Sequence, residues 1–393
     1  MEETYICSYS RTPIGAFQGN LSTTSATKLG ATSIRATVNK LDIDLNRIDE
    51  VIMGNVLSAN LGQAPARQAA IGSGLSNNTE CMTINKVCGS GLKSIMLADQ
   101  SIRTMNSDSV IAGGMENMSL APYYVVNARK GKSFGNDTLI DSIIYDGLLD
   151  PYNNFLMGNC AEKLCKEKNY TKLQQDEYAI QSYERSNEAI TKGYFVNEIC
   201  DVEVKVKKNL VIINQDEEPK KFNKEKILKL RPAFDKEGTI TAANASSLSD
   251  GSASVFLASS AYVEKNNIKP LAKIISHGSY ATAPIDFTKA PIYAIQKVLK
   301  KSNININQID LFEINEAFAC VPMVAIDELR LDNNKVNVNG GAVSLGHPIG
   351  ASGTRIFVTL LNALIERNLK YGVASLCIGG GEASAILIEV CKN

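Results

Sequence analysis

Val110-Ile111-Ala112-Gly113-Gly114-Met115-Glu116 returns, altered but legible, as Leu376-Cys377-Ile378-Gly379-Gly380-Gly381-Glu382. Both stretches run an apolar strand into glycines and end on a glutamate. Two more pairs accompany them. Ile48-Asp49-Glu50-Val51, ahead of Ile52-Met53-Gly54, is matched by Ile309-Asp310-Leu311-Phe312, ahead of Glu313-Ile314-Asn315. Ser90-Gly91-Leu92-Lys93 is matched by Ser352-Gly353-Thr354-Arg355, and each opens an apolar helical run. The pairs 48 with 309, 90 with 352 and 113 with 379 keep nearly one spacing, roughly 260 residues. One matched glycine turn arises by chance; three landmarks in one order imply two halves of one fold.

Each half alternates short apolar strands with helical runs, 91–104 and 353–367 among them. That alternation predicts an α/β fold with mixed or parallel sheets covered by helices. The first half takes residues 1–118 and 249–268, and the second takes 269–393. Residues 119–248 have no counterpart. They are richer in Lys, Asn and Glu, with many lysines over 205–229. We read them as a loop domain lying over the active site; for the Lys-rich run alone, a solvated charged surface is the plainer alternative.

The composition narrows the function classes. Of 393 residues 44% are apolar, enough for a sizeable core in two or three packed units. Lys plus Arg and Asp plus Glu both number 41, so nothing global points to nucleic acid or an anionic membrane. The nine cysteines form no CxxC pair, and no His lies near Cys160 and Cys165. This argues against a disulfide framework or zinc site and for a reducing compartment. No apolar run is long enough to span a membrane. The acidic start, Met1-Glu2-Glu3, does not read as a leader, and Val390-Cys391-Lys392-Asn393 carries no peroxisomal tail. The expected location is cytoplasmic, or mitochondrial if a transit peptide had been removed.

Cys88 stands in Asn85-Lys86-Val87-Cys88-Gly89-Ser90-Gly91, between an apolar strand, Met82 to Val87, and a helix. The free N–H groups of a helix start favour the thiolate, the nucleophilic form. A buried small hydrophobe is the ordinary alternative. His347 is one of only two histidines and lies in Gly340-Gly341-Ala342-Val343-Ser344-Leu345-Gly346-His347-Pro348-Ile349-Gly350-Ala351-Ser352-Gly353. That stretch is crowded with glycine and shows no regular period. From it His347 could deprotonate Cys88 and then donate to an acyl oxygen. The other histidine, His277, reads as structural. Cys377 ends a strand before glycines whose N–H groups suit an oxyanion, and it is either a proton carrier or a packed thiol. Asn315, where Glu313-Ile314-Asn315-Glu316-Ala317-Phe318 turns from strand to helix, is either an N-cap or the holder of a catalytic water.

At these motifs the chain resembles the thiolase family. Asn-x-x-Cys-Gly-Ser-Gly, Asn-Glu-Ala-Phe, Gly-His-Pro-x-Gly-x-Ser-Gly and Cys-x-Gly-Gly-Gly occur in thiolase order. Arg11-Thr12-Pro13-Ile14-Gly15, Thr239 to Ser246 and Asp250-Gly251 also fit. The resemblance implies two βαβαβαββ halves packed as five α-β-α-β-α layers. It implies reversible Claisen condensation of two acetyl-CoA to acetoacetyl-CoA plus CoA through acetyl-Cys88, with no metal or redox cofactor in the chemistry. His347 would activate Cys88 and share one oxyanion hole with a water held by Asn315. The N–H groups of Cys88 and Gly379 would form the other hole, and Cys377 would move the α-proton. Met157, Tyr183, Lys221, Phe222, Asn223, Lys226, Ser246, Phe287, Ala317 and Phe318 fall at coenzyme A contact positions. The potassium-responsive, mitochondrial-type acetoacetyl-CoA thiolases are the most similar branch. Their ion ligands match Tyr183, Ala242, Ala243, Ala245 and Val343, and their assembly implies a homotetramer, a dimer of dimers. Leu156 replaces the histidine usual in biosynthetic thiolases, and Phe287-Thr288 stands where the mitochondrial type has Phe-Pro. The competing expectations are a degradative 3-ketoacyl-CoA thiolase for longer chains and a non-catalytic acyl-CoA-binding protein.

Overall fold

The computed structural model describes residues 2–391; Met1, Lys392 and Asn393, which enter the reading of the two ends, lie outside the described residues. The first half runs β1 (Thr4–Arg11), α1 (Ala26–Val38), β2 (Glu50–Gly54), α2 (Pro65–Ser73), β3 (Glu80–Ile84), α3 (Ser90–Arg103) and β4 (Ser109–Asn117). The chain then leaves for the insert, whose long helices are α4 (Met157–Lys168) and α5 (Lys172–Thr191). It returns in β5 (Ser249–Ser259). The second half runs β6 (Ala272–Ala281), α6 (Ala290–Ser302), β7 (Leu311–Ile314), α7 (Cys320–Leu329), α8 (Ile349–Glu366), β8 (Tyr371–Ile378) and β9 (Glu382–Val390). Its third strand position has shrunk to one parallel bridge, Phe312 with Val336. Both halves therefore follow βαβαβαββ.

The strand order is β7-β8-β9-β6-β1-β5-β4-β2-β3. Within each half the outer strands pair parallel and the final hairpin antiparallel, as mixed sheets do. Among the described residues the halves meet along the sheet only where Tyr5 faces Lys273 and Ile6 faces Ala272. Such a short seam lets the two sheets fold face to face. Between them lie α3 and α8, while α1 and α2 cover one outer face and α6 the other. The result is five layers.

The middle layer explains why both halves need small residues in the same place. A Cβ on Gly353 of α8 would sit 2.2 Å from the Leu92 backbone nitrogen of α3, so the two helices approach at backbone distance. The α8 helix starts at Ile349, earlier than its apolar period suggests, and Ala342–Leu345 forms a further helical turn. Most of the glycine-rich stretch is thus helix, contrary to its irregular look. Its small residues serve close packing, and only Gly340, Gly341 and Gly346 to Pro348 lie outside the helices.

The insert is pinned to β1 by buried charge. Arg11 pairs with Glu198 at 2.6 Å and with Asp216 at 2.7 Å, all without solvent contact. Breaking one partner would strand the others in a dry interior at a cost of about 3–5 kcal/mol. Among the described residues no helix is long and apolar enough to cross a membrane.

Candidate active site

Cys88 follows β3 by four residues and immediately precedes Gly89, the cap of α3. The preceding residue, Val87, holds φ of +46°, a conformation that β-branched residues rarely adopt. Ser90 fixes this turn from both sides: its hydroxyl donates to the Val87 carbonyl at 2.6 Å and accepts from Lys86 N–H at 2.8 Å. The strand predicted from Met82 to Val87 ends at Ile84, because the turn takes the remaining residues.

Across the interface, the β8–β9 turn delivers the backbone N–H of Gly379 to the Cys88 sulfur. The side chain of Cys377, at the end of β8, is buried and close enough for the two thiols to feel each other's charge. Burial pushes the Cys88 thiol up to about 11, even though its residue is only half-buried. Burial and the neighbouring Cys88 push Cys377 well above the usual thiol range. Both rest as neutral thiols. The expected thiolate at the helix start is therefore not the resting form; desolvation outweighs the two backbone N–H donors, and a base is needed.

His347 is the candidate for that base. Burial pushes its imidazolium down to about 3, and the positive charge of Arg355 adds to the shift. Its protonation is legible in its partners. Ser352 Oγ donates to the Pro348 carbonyl at 2.9 Å, so it accepts from His347 Nδ1–H at 2.5 Å. The lone pair is left on Nε2, 3.4 Å from Asn315 Nδ2. Backbone N–H of His347 reaches the Ser247 carbonyl at 3.1 Å, which ties the loop to the strand leading into β5. His277 instead sits in β6 with Nε2 3.0 Å from Asp99 Oδ2.

Asn315 lies one residue beyond β7, and α7 begins only at Cys320, capped by Ala319. The N-cap alternative for Asn315 is thereby excluded. Its Oδ1 accepts from Arg355 Nη2 at 3.5 Å while Nδ2 faces His347.

Glu116, in β4, is a site residue that sequence reasoning missed. It is wholly buried and accepts N–H from Val56, Leu57 and Gly350, and from the Asn55 side chain. It thus clamps the start of α8, two residues after the His347-Pro348 pair, to the first half. Its signal was present in the repeat itself, where a glutamate closes each glycine turn.

The remaining expected contacts fall in two places. Met157, Phe287, Ala317 and Phe318 belong to one apolar cluster with Cys377. Ser246 donates both N–H and Oγ–H to the Ala317 carbonyl at 3.0 Å. Lys221, Phe222, Asn223 and Lys226 lie on the insert surface, where Phe222 stacks on Tyr183 with ring centres 5.3 Å apart. Asn223 caps the short Lys224–Lys229 helix. Of the suggested ion ligands, Val343 is buried, and the backbone around Ala245 is bridged to Phe318.

Comparison with known proteins agrees with this architecture. Residues 4–261 match the model of the thiolase N-terminal domain, and residues 268–390 match that of the thiolase C-terminal domain. An acetyl-CoA acetyltransferase of Yarrowia lipolytica is 50% identical over 99% of this chain and 97% of its own. A mitochondrial acetyl-CoA acetyltransferase of Bos taurus is 49% identical over 99% of this chain and 92% of its own. The Acat5 thiolase of Ascaris suum, solved in complex with coenzyme A, superposes with a TM-score of 0.94 at 44% identity, covering 99% of this chain and 100% of that one. Two family models that between them span nearly all of the sequence, and relatives alike from end to end, make this chain a member of the thiolase family.

Proposed function

We propose that the protein is an acetyl-CoA acetyltransferase that condenses two acetyl-CoA to acetoacetyl-CoA and CoA, and runs the thiolytic reverse. The observation that carries this is the meeting of two thiols from different halves, the half-buried Cys88 and the buried Cys377, with the Gly379 N–H on the Cys88 sulfur. A binding protein needs neither.

His347 Nε2 takes the Cys88 proton, and the thiolate attacks the acetyl carbonyl of the first acetyl-CoA. The oxyanion is met by backbone N–H groups of Cys88 and Gly379, each such donor being worth about 2.7–4 kcal/mol. The CoA thiolate leaves and takes its proton from Cys377, so acetyl-Cys88 now faces a Cys377 thiolate. A second acetyl-CoA loses an α-proton to that thiolate, and its carbanion attacks the acetyl carbon. Cys88 departs and recovers its proton from His347, and both thiols are restored. A thiol pushed far up by burial suits both tasks of Cys377: it keeps its proton at rest and becomes a strong base once it has given it away.

Lys221, Phe222, Asn223 and Lys226 would meet the nucleotide end of coenzyme A, Tyr183 and Ser246 the pantetheine side, and Met157, Phe287, Ala317 and Phe318 the acyl end. A potassium ion fits the chemistry of its suggested ligands. Glu316 is buried and accepts from Tyr178, Ser182, Asn337 and the Val343 N–H, yet no basic side chain pairs with it among the described residues. Oxygens of Tyr183, Ala242, Ala243, Ala245 and Val343 would hold a cation that balances this charge. A homotetramer accords with apolar side chains exposed on the insert, Tyr123, Val126, Leu139 and Tyr152 among them, and with Phe134 at 94% exposure. The nine free cysteines suit a reducing compartment such as the cytosol.

The test is thiolysis of acetoacetyl-CoA against a 3-ketoacyl-CoA of eight or more carbons, alongside intact mass after incubation with acetyl-CoA. A gain of one acetyl group on the Cys88 peptide and preference for acetoacetyl-CoA are expected. Absence of any acetyl-enzyme would overturn the reading, and preference for the long chain would move it to degradative thiolysis.

A further inference from the structure

Arg355 is among the largest fully buried side chains in the molecule, at 1% exposure, and it belongs to neither the thiol pair nor the coenzyme A contacts. It lies on α8, with Nη1 donating to Glu313 Oε1 at 3.0 Å and Nη2 to Asn315 Oδ1 at 3.5 Å. Its Nε has no partner among the described residues. A guanidinium can only donate, so it dictates which end of the Asn315 amide faces it. Oδ1 must point to Arg355, and Nδ2 must point the other way, to His347 Nε2. On the far side of the imidazole, Ser352 demands a hydrogen on Nδ1. The chain Glu313–Arg355–Asn315–His347–Ser352 therefore admits one tautomer from both ends.

We propose that Arg355 is a positioning residue for acyl transfer: it turns a donor of Asn315 toward His347 and so keeps the ring in the tautomer whose Nε2 lone pair can receive the Cys88 proton. This rests on the roles assigned to Cys88 and His347 above. A flipped Asn315 would set two acceptors against each other and remove the donor that a bound water or an acyl oxygen needs. The lengths of 3.4 and 3.5 Å fit a site that tightens on binding substrate.

The charged and titratable groups around His347 are few. Arg355 comes from α8, which starts two residues after His347, Glu313 answers it from β7, and Cys377 lies on β8. Cys88 lies at the start of α3, and Glu116, on β4, grips the Gly350 N–H. Among the described residues Arg355 is the positive charge that bears on His347, and burial pushes the Glu313 carboxyl up to about 8 against its pull.

The chain has two histidines, so ¹⁵N-labelled histidine yields two resolvable rings, with His277 as internal reference. In the unaltered enzyme His347 should be the Nδ1–H tautomer and stay neutral well below pH 6. The double variant Arg355→Gln, Glu313→Gln removes the charge without stranding a carboxylate. There His347 should protonate at higher pH, and the acid limb of acetyl-Cys88 formation should move up by about one pH unit or more. Arg355→Lys keeps a charge but loses the fork to Asn315. Its acid limb should stay in place while acyl transfer slows by about 10-fold or more, with the KM for acetyl-CoA little changed. A folded double variant with the original tautomer and pH profile overturns the proposal. If the double variant does not fold, Arg355→Lys decides alone: full speed overturns the proposal, and a slowed rate on an unmoved limb upholds it. Cys88→Ala keeps the two readings apart. Acetyl-enzyme formed without Cys88 refutes the site itself, whereas a dead Cys88→Ala beside indifferent Arg355 variants refutes only the positioning role.

Discussion

The two halves share one order of elements and differ most at one connection. In the second half β8 turns back into β9 through Gly379, Gly380 and Gly381. In the first half the equivalent connection leaves β4 after Asn117 and does not re-enter the sheet until Ser249 in β5. The short turn places a backbone N–H and a second thiol on Cys88. The long one carries the aromatic and basic surface proposed for coenzyme A. The same connection is thus a tight glycine turn in one half and a long insert in the other, and the proposed function divides along that difference, backbone precision for the one and substrate covering for the other.

The largest expected effects separate the two thiols that this arrangement joins. Cys88→Ala should take up no acetyl from acetyl-CoA and lose condensation by a factor of about 10³ or more. Cys377→Ser should still gain one acetyl on the Cys88 peptide, slowly, and fail in carbon–carbon bond formation, since a serine hydroxyl is too weak an acid to manage the α-proton. Peptide mass mapping and a condensation assay on both variants check this. Label on Cys377, or near-normal condensation by Cys377→Ser, would remove the division of labour.

Next in size is the strain of the tight turn. Gly381 holds φ of +90°, and a Cβ there would lie 2.5 Å from the Thr282 carbonyl oxygen and 2.8 Å from Ala283. Gly381→Ala should cost about 1–3 kcal/mol in denaturant midpoint and shift Gly379 away from Cys88. Gly131 in the insert has φ of +70° and nothing within 4 Å of the added carbon. Gly131→Ala should cost about 1 kcal/mol and leave acyl transfer intact. Equal losses would mean that the two connections are not held to different tolerances.

How much of this was legible beforehand follows the same division. The repeat points to the halves because matched landmarks report a shared backbone, and Cys88, His347, Asn315 and Cys377 stand out as candidates because each lies at or beside a break between elements. Partners that act across the interface carried no local signal. Arg355 reads as one more polar residue of a helix until Glu313 and Asn315 are seen beside it. Glu116 and Glu382 close the same motif, yet one is sealed among four N–H donors and the other pairs with Lys86 near the surface. The thiolate expected at the helix start failed for a similar reason: burial is a property of the assembled halves, not of the turn.

That pair of glutamates gives a third prediction. Burial pushes Glu116 up to about 7 from its ordinary value near 4.5. A carboxyl raised in the folded state favours folding while protonated, so its contribution is full below about 4.5 and is lost as pH rises through 7. Glu116→Gln should flatten the fall in urea midpoint across that window and, with fewer acceptors for the N–H groups, lower stability overall by about 1–3 kcal/mol. Glu382→Gln removes only a half-exposed ion pair and should cost below about 1 kcal/mol. A wild-type slope in Glu116→Gln would show that the carboxyl stays ionised in the clamp.

The smallest effect concerns what joins the long connection to the loop of His347. Tyr183 and Ala242 to Ala245 lie in the insert, Val343 lies four residues before His347, and Glu316 is hydrogen-bonded to both regions through Ser182 and the Val343 N–H. A potassium ion among those oxygens would balance a buried carboxylate and favour the ordered form of both regions. A ligand that binds only the ordered state stabilises it by about 1.4 kcal/mol at ten times its Kd. Potassium chloride should therefore raise the melting temperature and the affinity for coenzyme A modestly over sodium chloride at matched ionic strength. Tyr183→Phe keeps the stacking face for Phe222 while losing the hydroxyl oxygen, so it should weaken the response to the ion more than it weakens the fold. Identical melting curves and rates in the two salts would leave the hydrogen bonds of Glu316 as the whole of the link between insert and catalytic loop.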